Sequence, residues 1–166
     1  QWMGTPNSHN QSTISDNNKP VLILVDDDPI VIQTSSFLLK KYYRLITGSS
    51  RSEIRQQLLA EDEPPALALI DLGLPPVPHS PEEGFALIAD LLACNSEMRI
   101  LVLSGQDRDT NVQHALTLGA ADFIAKPSDP EDLLERLNHQ LRLSQASRQD
   151  AQQSANTSLI GSSIVM

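Results

Sequence analysis

From Val21 onward, short apolar runs alternate with longer stretches whose apolar positions recur at helical spacing, and the alternation repeats five times. That pattern constrains the chain more than any other feature. A strand that is apolar throughout is buried on both faces, so helices must cover both sides of the sheet and the strands they connect must be parallel. VLILV (21–25) opens the series, and a helix follows from Pro29, a good first-turn residue, to about Lys40. YRLIT (43–47) is the second strand, with a helix over about 51–61. ALALID (66–71) is the third; a proline-rich loop from Leu74 to Pro81 precedes a helix over 82–94. MRILVLS (98–104) is the fourth, and its helix, over about 108–118, ends at Gly119, suited to the left-handed position after a helix. ADFIA (121–125) is the fifth, and the last helix opens at Asp129 or Pro130. Five strands and five helices in strict alternation predict an α/β fold with a doubly wound parallel sheet.

The ends of the chain read differently. Residues 1–19 are mostly Gln, Asn, Ser, Thr, Asp and Pro, too polar to offset chain entropy by burial, and are expected to be a disordered lead-in. The last helix places Leu133, Leu134, Leu137 and Leu141 on one stripe, as a helix packed on a sheet requires. After Leu143 the stripe stops. Residues 144–157 are rich in Gln, Ser, Ala and Asn and read as a linker compatible with a helical extension, without a heptad seam. Residues 158–166, SLIGSSIVM, turn apolar again and are expected to be the first strand or turn of a truncated further domain. The globular unit is thus expected over 20–143.

Composition excludes several classes of function. A net charge of -9 opposes a grip on the phosphate backbone of nucleic acid, which needs clustered Lys and Arg. No apolar run approaches the roughly 18 residues of a membrane span, and no signal peptide opens the chain, so a cytoplasmic location is expected. The single cysteine, Cys94, rules out an intrachain disulfide and reads as a small apolar filler on its helix.

In an open parallel sheet, ligands bind at the carboxyl ends of the strands. Here those ends carry Asp26, Asp27 and Asp28 after the first strand, Asp71 at the end of the third, Ser104 at the end of the fourth, and Lys126 after the fifth. Singly, each has an ordinary explanation as a helix cap or a solvated charge. Brought to one edge they form a carboxylate cluster opposed by one ammonium and one hydroxyl. Carboxylates that close raise one another's pKa unless a cation lies between them. Oxygen ligands without Cys or His at metal spacing favour Mg²⁺, which keeps waters and shares its shell with phosphate. The implied substrate is a phosphoryl group. Asp is a competent nucleophile for it, with the metal and Lys126 neutralising the phosphoryl oxygens. Asp28 reads as a helix cap rather than a ligand. His79, in the proline-rich loop without a partner ligand at useful spacing, reads as an exposed loop residue.

LILVDDD, LIDLGLP, LVLSG and LGAADFIAKP, together spanning a match over about 20–143, resemble the receiver domains of bacterial response regulators. The resemblance implies a flavodoxin-like (βα)5 sheet of strand order 2-1-3-4-5 and phosphorylation of Asp71. It implies Mg²⁺ held by Asp26, Asp27, Asp71 and the backbone carbonyl of Gly73. Ser104 and Lys126 would contact phosphoryl oxygens, Phe123 would be the aromatic switch residue, and the Lys126-Pro127 bond would be cis. A sensor histidine kinase would be the phosphodonor. The active form would be a homodimer through the face of helix four, strand five and helix five. No enzyme activity is implied beyond metal-assisted self-phosphorylation and self-dephosphorylation. Ser104 and Phe123 stand where Thr and Tyr are commoner, and the loop DLGLPPVPHSPEEG is longer and richer in proline than usual.

SLIGSSIVM further resembles the opening of the AAA+ ATPase domain of sigma-54-dependent activators of the nitrogen-regulator type. DLGLPP, SGQDR and LGAADF are similar to the subgroup associated with PEP-CTERM and exopolysaccharide loci. The implied output is that ATPase and a DNA-binding domain, both missing from this chain. Two rivals remain at this stage. A haloacid-dehalogenase-type phosphatase would use Asp26 as nucleophile and Asp28 as acid, leaving Asp71 without a role. A pseudo-receiver would dock without taking phosphate.

Overall fold

The computed structural model describes residues 18–77, 80–105, 109–126 and 128–164, with backbone alone from 154 onward. Its elements are β1 (Val21–Val25), α1 (Pro29–Leu39), β2 (Arg44–Gly48), α2 (Arg51–Leu58), β3 (Leu67–Asp71), α3 (Glu82–Cys94), β4 (Arg99–Ser104), α4 (Asp109–Leu118), β5 (Asp122–Ala125) and α5 (Pro130–Ile164). All five strands are parallel in the order β2-β1-β3-β4-β5.

The two-residue period of a strand sorts the apolar runs onto two faces. Ile23, Val25, Ala68, Ile70, Ile100 and Val102 point into a core closed by Ile54 of α2, Leu87, Ile88 and Leu91 of α3, and Ala115 of α4. Leu22, Leu24, Leu67, Leu69, Leu101 and Leu103 point the other way, against Leu39 of α1 and Leu133 and Leu137 of α5. Each central strand therefore contributes to both cores, which is why its sequence is apolar without alternation. Gly119 has φ +115° after α4, the left-handed stop expected there.

Three expectations need correction. Cys94 is exposed rather than a filler, because it is the last residue of α3 and the chain turns away through Asn95 in extended conformation. The backbone over 158–164 is helical, where a strand or turn was expected. No Pro interrupts 144–164 and Gly161 comes within the last turn, so little stops the helix that packing of Leu133 and Leu137 nucleates. The second helix ends at Leu58, three residues early. Of the lead-in, Lys19 is described, its ammonium donating to the Lys40 carbonyl at 3.0 Å; residues 1–17 lie outside the described residues. Among the described residues, no helix is long and apolar enough to cross a membrane.

Candidate functional site

Parallel register brings the polar strand ends together. Val25 pairs with Ile70, so Asp26 emerges beside Asp71; Asp71 pairs with Leu103, and Ser104 with Ala125, so Ser104 and Lys126 emerge alongside. The Lys126 N–H donates to the Ser104 carbonyl at 2.9 Å, which fixes the root of the lysine on β4.

Asp26 is 2 % exposed. Its Oδ1 accepts from the Asp28 N–H at 2.9 Å, and its Oδ2 accepts from the Lys126 ammonium at 2.7 Å. The same ammonium lies 3.4 Å from Asp71 Oδ2. Asp71 is 7 % exposed, and its Oδ1 accepts from the Gly73 N–H at 3.3 Å. Asp26, Asp27 and Asp71 each present a carboxylate oxygen, and the three atoms lie within 4.8 Å of one another. That spacing and an all-oxygen donor set fit a hard divalent cation. Electrostatics agree. Burial, then the neighbouring charge of Asp26, push the Asp71 carboxyl up from 3.8 to about 6, with Asp27 adding to the rise and Lys126 and the Gly73 N–H opposing it. Burial alone would lower Lys126, but its hydrogen bond to Asp26 and the charges of Asp71 and Asp26 outweigh it, so its pKa is raised.

The structure thus gathers Asp26, Asp27, Asp71, Gly73 and Lys126, with Ser104 buried at the adjoining strand end. Asp28 stands apart as the N-cap of α1, exposed, its carboxylate accepting from the Ile30 N–H at 2.9 Å. Phe123 is half-buried on β5 and packs on the core beneath α4. His79 and Pro127 lie outside the described residues. Among the described residues, the cis peptide bond is Pro75-Pro76. Sequence alone assigns nothing to Gly84, yet it abuts the loop after Asp71. A glycine inside a helical pattern is the available signal, since it costs about 1 kcal/mol against Ala.

The GltR transcriptional regulatory protein of Pseudomonas aeruginosa is 35% identical over 101 residues, covering 58% of this chain and 38% of the relative. The transcriptional regulatory protein CreB of Escherichia coli is 30% identical over 83 residues, covering 50% of this chain and 34% of the relative. The chain therefore spans little more than a third of the length of these curated relatives. Among solved structures, a CheY-like response regulator receiver domain protein from Methanospirillum hungatei superposes with a TM-score of 0.69 at 25% identity, covering 78% of this chain and 98% of the other. A Burkholderia pseudomallei response regulator, solved with a phosphorylated aspartic acid, calcium ion and citrate, gives 0.62 at 26% identity, covering 78% and 73%. The model of the response regulator receiver domain matches residues 22–138, which removes the phosphatase reading. With the sheet order, the acidic cluster and this match in agreement, the chain belongs to the response regulator receiver domain family.

Proposed function

We propose that this chain is the phosphorylation switch of a two-component system, with Asp71 as the phosphoacceptor and a sensor histidine kinase as the donor. The observation that carries the reading is the convergence of Asp26, Asp27 and Asp71 within 4.8 Å, with Lys126 bridging two of them. A carboxylate oxygen of Asp71 attacks the phosphorus of a phosphohistidine. The P–O bond forms as the P–N bond breaks, and the electron pair leaves on the imidazole nitrogen. Asp26, Asp27, Asp71 and the Gly73 carbonyl would hold Mg²⁺, which when bound supplies neutralisation of charge on the phosphoryl oxygens. Lys126 pairs with one of those oxygens and the Ser104 hydroxyl donates to another. The inward pull on Ser104 vacates space for Phe123 to turn, which reshapes the face of α4, β5 and α5. Such a switch is a two-state equilibrium, with coupling of about 1 to 3 kcal/mol.

The reshaped face is the homodimer interface of the active form. The output is transcriptional, as the names of the relatives GltR and CreB support. The finer reading, a sigma-54-activator ATPase and DNA-binding output, rests on SLIGSSIVM at 158–166, most of which lies within α5.

Incubation with Mg²⁺ and acetyl phosphate, followed by peptide mass spectrometry, tests the core of the proposal. Modification at Asp71, lost in Asp71→Asn, is expected; modification at Asp26, or none, refutes it. The same protein loaded with beryllofluoride is expected to sediment with a larger dimer fraction, and an unchanged profile refutes the dimer.

A further inference from the structure

Gly84 is buried in the first turn of α3, and its φ is not positive, so backbone conformation does not demand a glycine there. Space does. A Cβ on Gly84 would lie 2.5 Å from the Leu72 Cα, 2.7 Å from the Leu72 carbonyl oxygen and 2.9 Å from Leu72 Cδ2. The side-chain contact could be relieved by a rotamer change, but the two backbone contacts could not.

Leu72 is the residue between Asp71 and Gly73. Its carbonyl, the oxygen that a Cβ would strike, accepts from the Leu74 N–H at 2.9 Å and closes a tight turn around Gly73. Within that turn, the Gly73 N–H donates to Asp71 Oδ1 at 3.3 Å. The N-terminal turn of α3 therefore rests directly on the backbone that sets both the Asp71 carboxylate and the Gly73 carbonyl.

We propose that Gly84 is a positioning residue for the cation site: by lacking a side chain it lets α3 seat against Leu72 and hold the turn that presents Asp71 and the Gly73 carbonyl. The inference deepens the proposed function and rests on its assignment of those two ligands. Gly→Ala inside a helix ordinarily favours the folded state when the new methyl has room. Here the methyl displaces the loop, and because ligand geometry is held to fractions of an ångström, cation affinity falls.

The test is Mn²⁺ binding to the full chain, read from the free-ion signal in electron paramagnetic resonance, with folding checked by circular dichroism. Gly84→Ala is expected to weaken Mn²⁺ at least tenfold. Ala89→Gly, on the exposed side of the same helix, is expected to stay within twofold of wild type. Affinity within twofold in Gly84→Ala, or an equal loss in Ala89→Gly, overturns the proposal. If Gly84→Ala does not fold, hydrogen exchange in the wild type decides: Leu74 and Phe85 N–H groups that open together support the seat, and a Leu74 N–H that opens independently of α3 overturns it. Wild-type protein that binds no Mn²⁺ overturns the proposal together with the cation of the proposed function. Wild-type protein that binds Mn²⁺ but takes no phosphoryl group refutes the phosphoacceptor alone and leaves the Gly84 comparison decisive.

Discussion

Removing the charge of Asp71 should make the metal-free domain more stable. In the folded state its carboxyl titrates at about 6 against 3.8 ordinarily, chiefly through burial and the facing charge of Asp26. The folded protein thus holds this proton more tightly than the unfolded chain does. The stability it contributes is complete below the unfolded value of 3.8 and is lost as pH rises to about 6. At pH 7 the carboxylate costs about 3 kcal/mol at full weight, or about 2 kcal/mol once solvent at the mouth of the site is allowed for. Asp71→Asn keeps the shape and discards the charge. It is expected to raise metal-free stability at pH 7 by about 2 kcal/mol, or roughly 5 °C in Tm. Urea unfolding in chelator, followed by circular dichroism with an unchanged slope, measures it. At pH 4 the gain should shrink to roughly a fifth, because the folded carboxyl is already protonated there. Saturating Mg²⁺ should narrow the gap at pH 7, since it stabilises the wild type more than the variant. A variant no more stable than wild type at pH 7, or equally favoured at both pH values, refutes the electrostatic account.

Lys126→Met should act oppositely, destabilising the metal-free domain at pH 7 by about 2 kcal/mol, because buried Asp26 loses the cation that balances it; urea unfolding with no loss excludes that role. Phosphorylation of the same variant by acetyl phosphate should slow at least tenfold, read by phosphate-affinity electrophoresis. Tyr43, buried and donating to Asn138 Oδ1 at 2.6 Å, has its hydroxyl pushed up to about 12 by burial, with Arg142 opposing. The folded state holds this proton more tightly too, so stability falls as pH rises from 10 toward 12. Tyr43→Phe should cost about 1 kcal/mol at pH 7 and move alkaline unfolding to higher pH, as a pH titration by circular dichroism would show.

The sheet was legible because the central strands run apolar through their interior positions, with polar residues confined to their ends, and only burial on both faces explains that. The site was legible for a related reason. Carboxyl-end residues in a parallel sheet are placed by register, so the polar residue ending each apolar run could be located without side-chain detail. Cys94 and the chain end were not legible, because a terminal helical position and a Gln/Ser/Ala-rich stretch take their environment from what lies beside them. Gly84 was half legible: a glycine inside a helical pattern is a signal, but its chief partner, the Leu72 backbone, carries none. The pairing of Lys126 was half legible. Its meeting with the acidic cluster followed from topology, but its preference for Asp26 over Asp71 depends on a difference of 2.7 against 3.4 Å.

That preference links stability to switching. Asp26 is buried, and a charge so placed is costly unless paired, so in the metal-free domain Lys126 holds it. The lysine's root is fixed through Ser104, while Asp26 Oδ1 is occupied by the Asp28 N–H that opens α1. That leaves Oδ2 and the ammonium to change partners. On the proposed function, a phosphoryl group on Asp71 adds negative charge within reach of that ammonium and would draw it from Asp26. One positive charge would then balance the fold before phosphorylation and the phosphoryl group after it, with Asp26 among the residues that would hold Mg²⁺. Burial, with the facing charge of Asp26, strains the Asp71 carboxylate, so Asp71→Asn, by relieving that strain, should stabilise the domain and silence the switch in the same step.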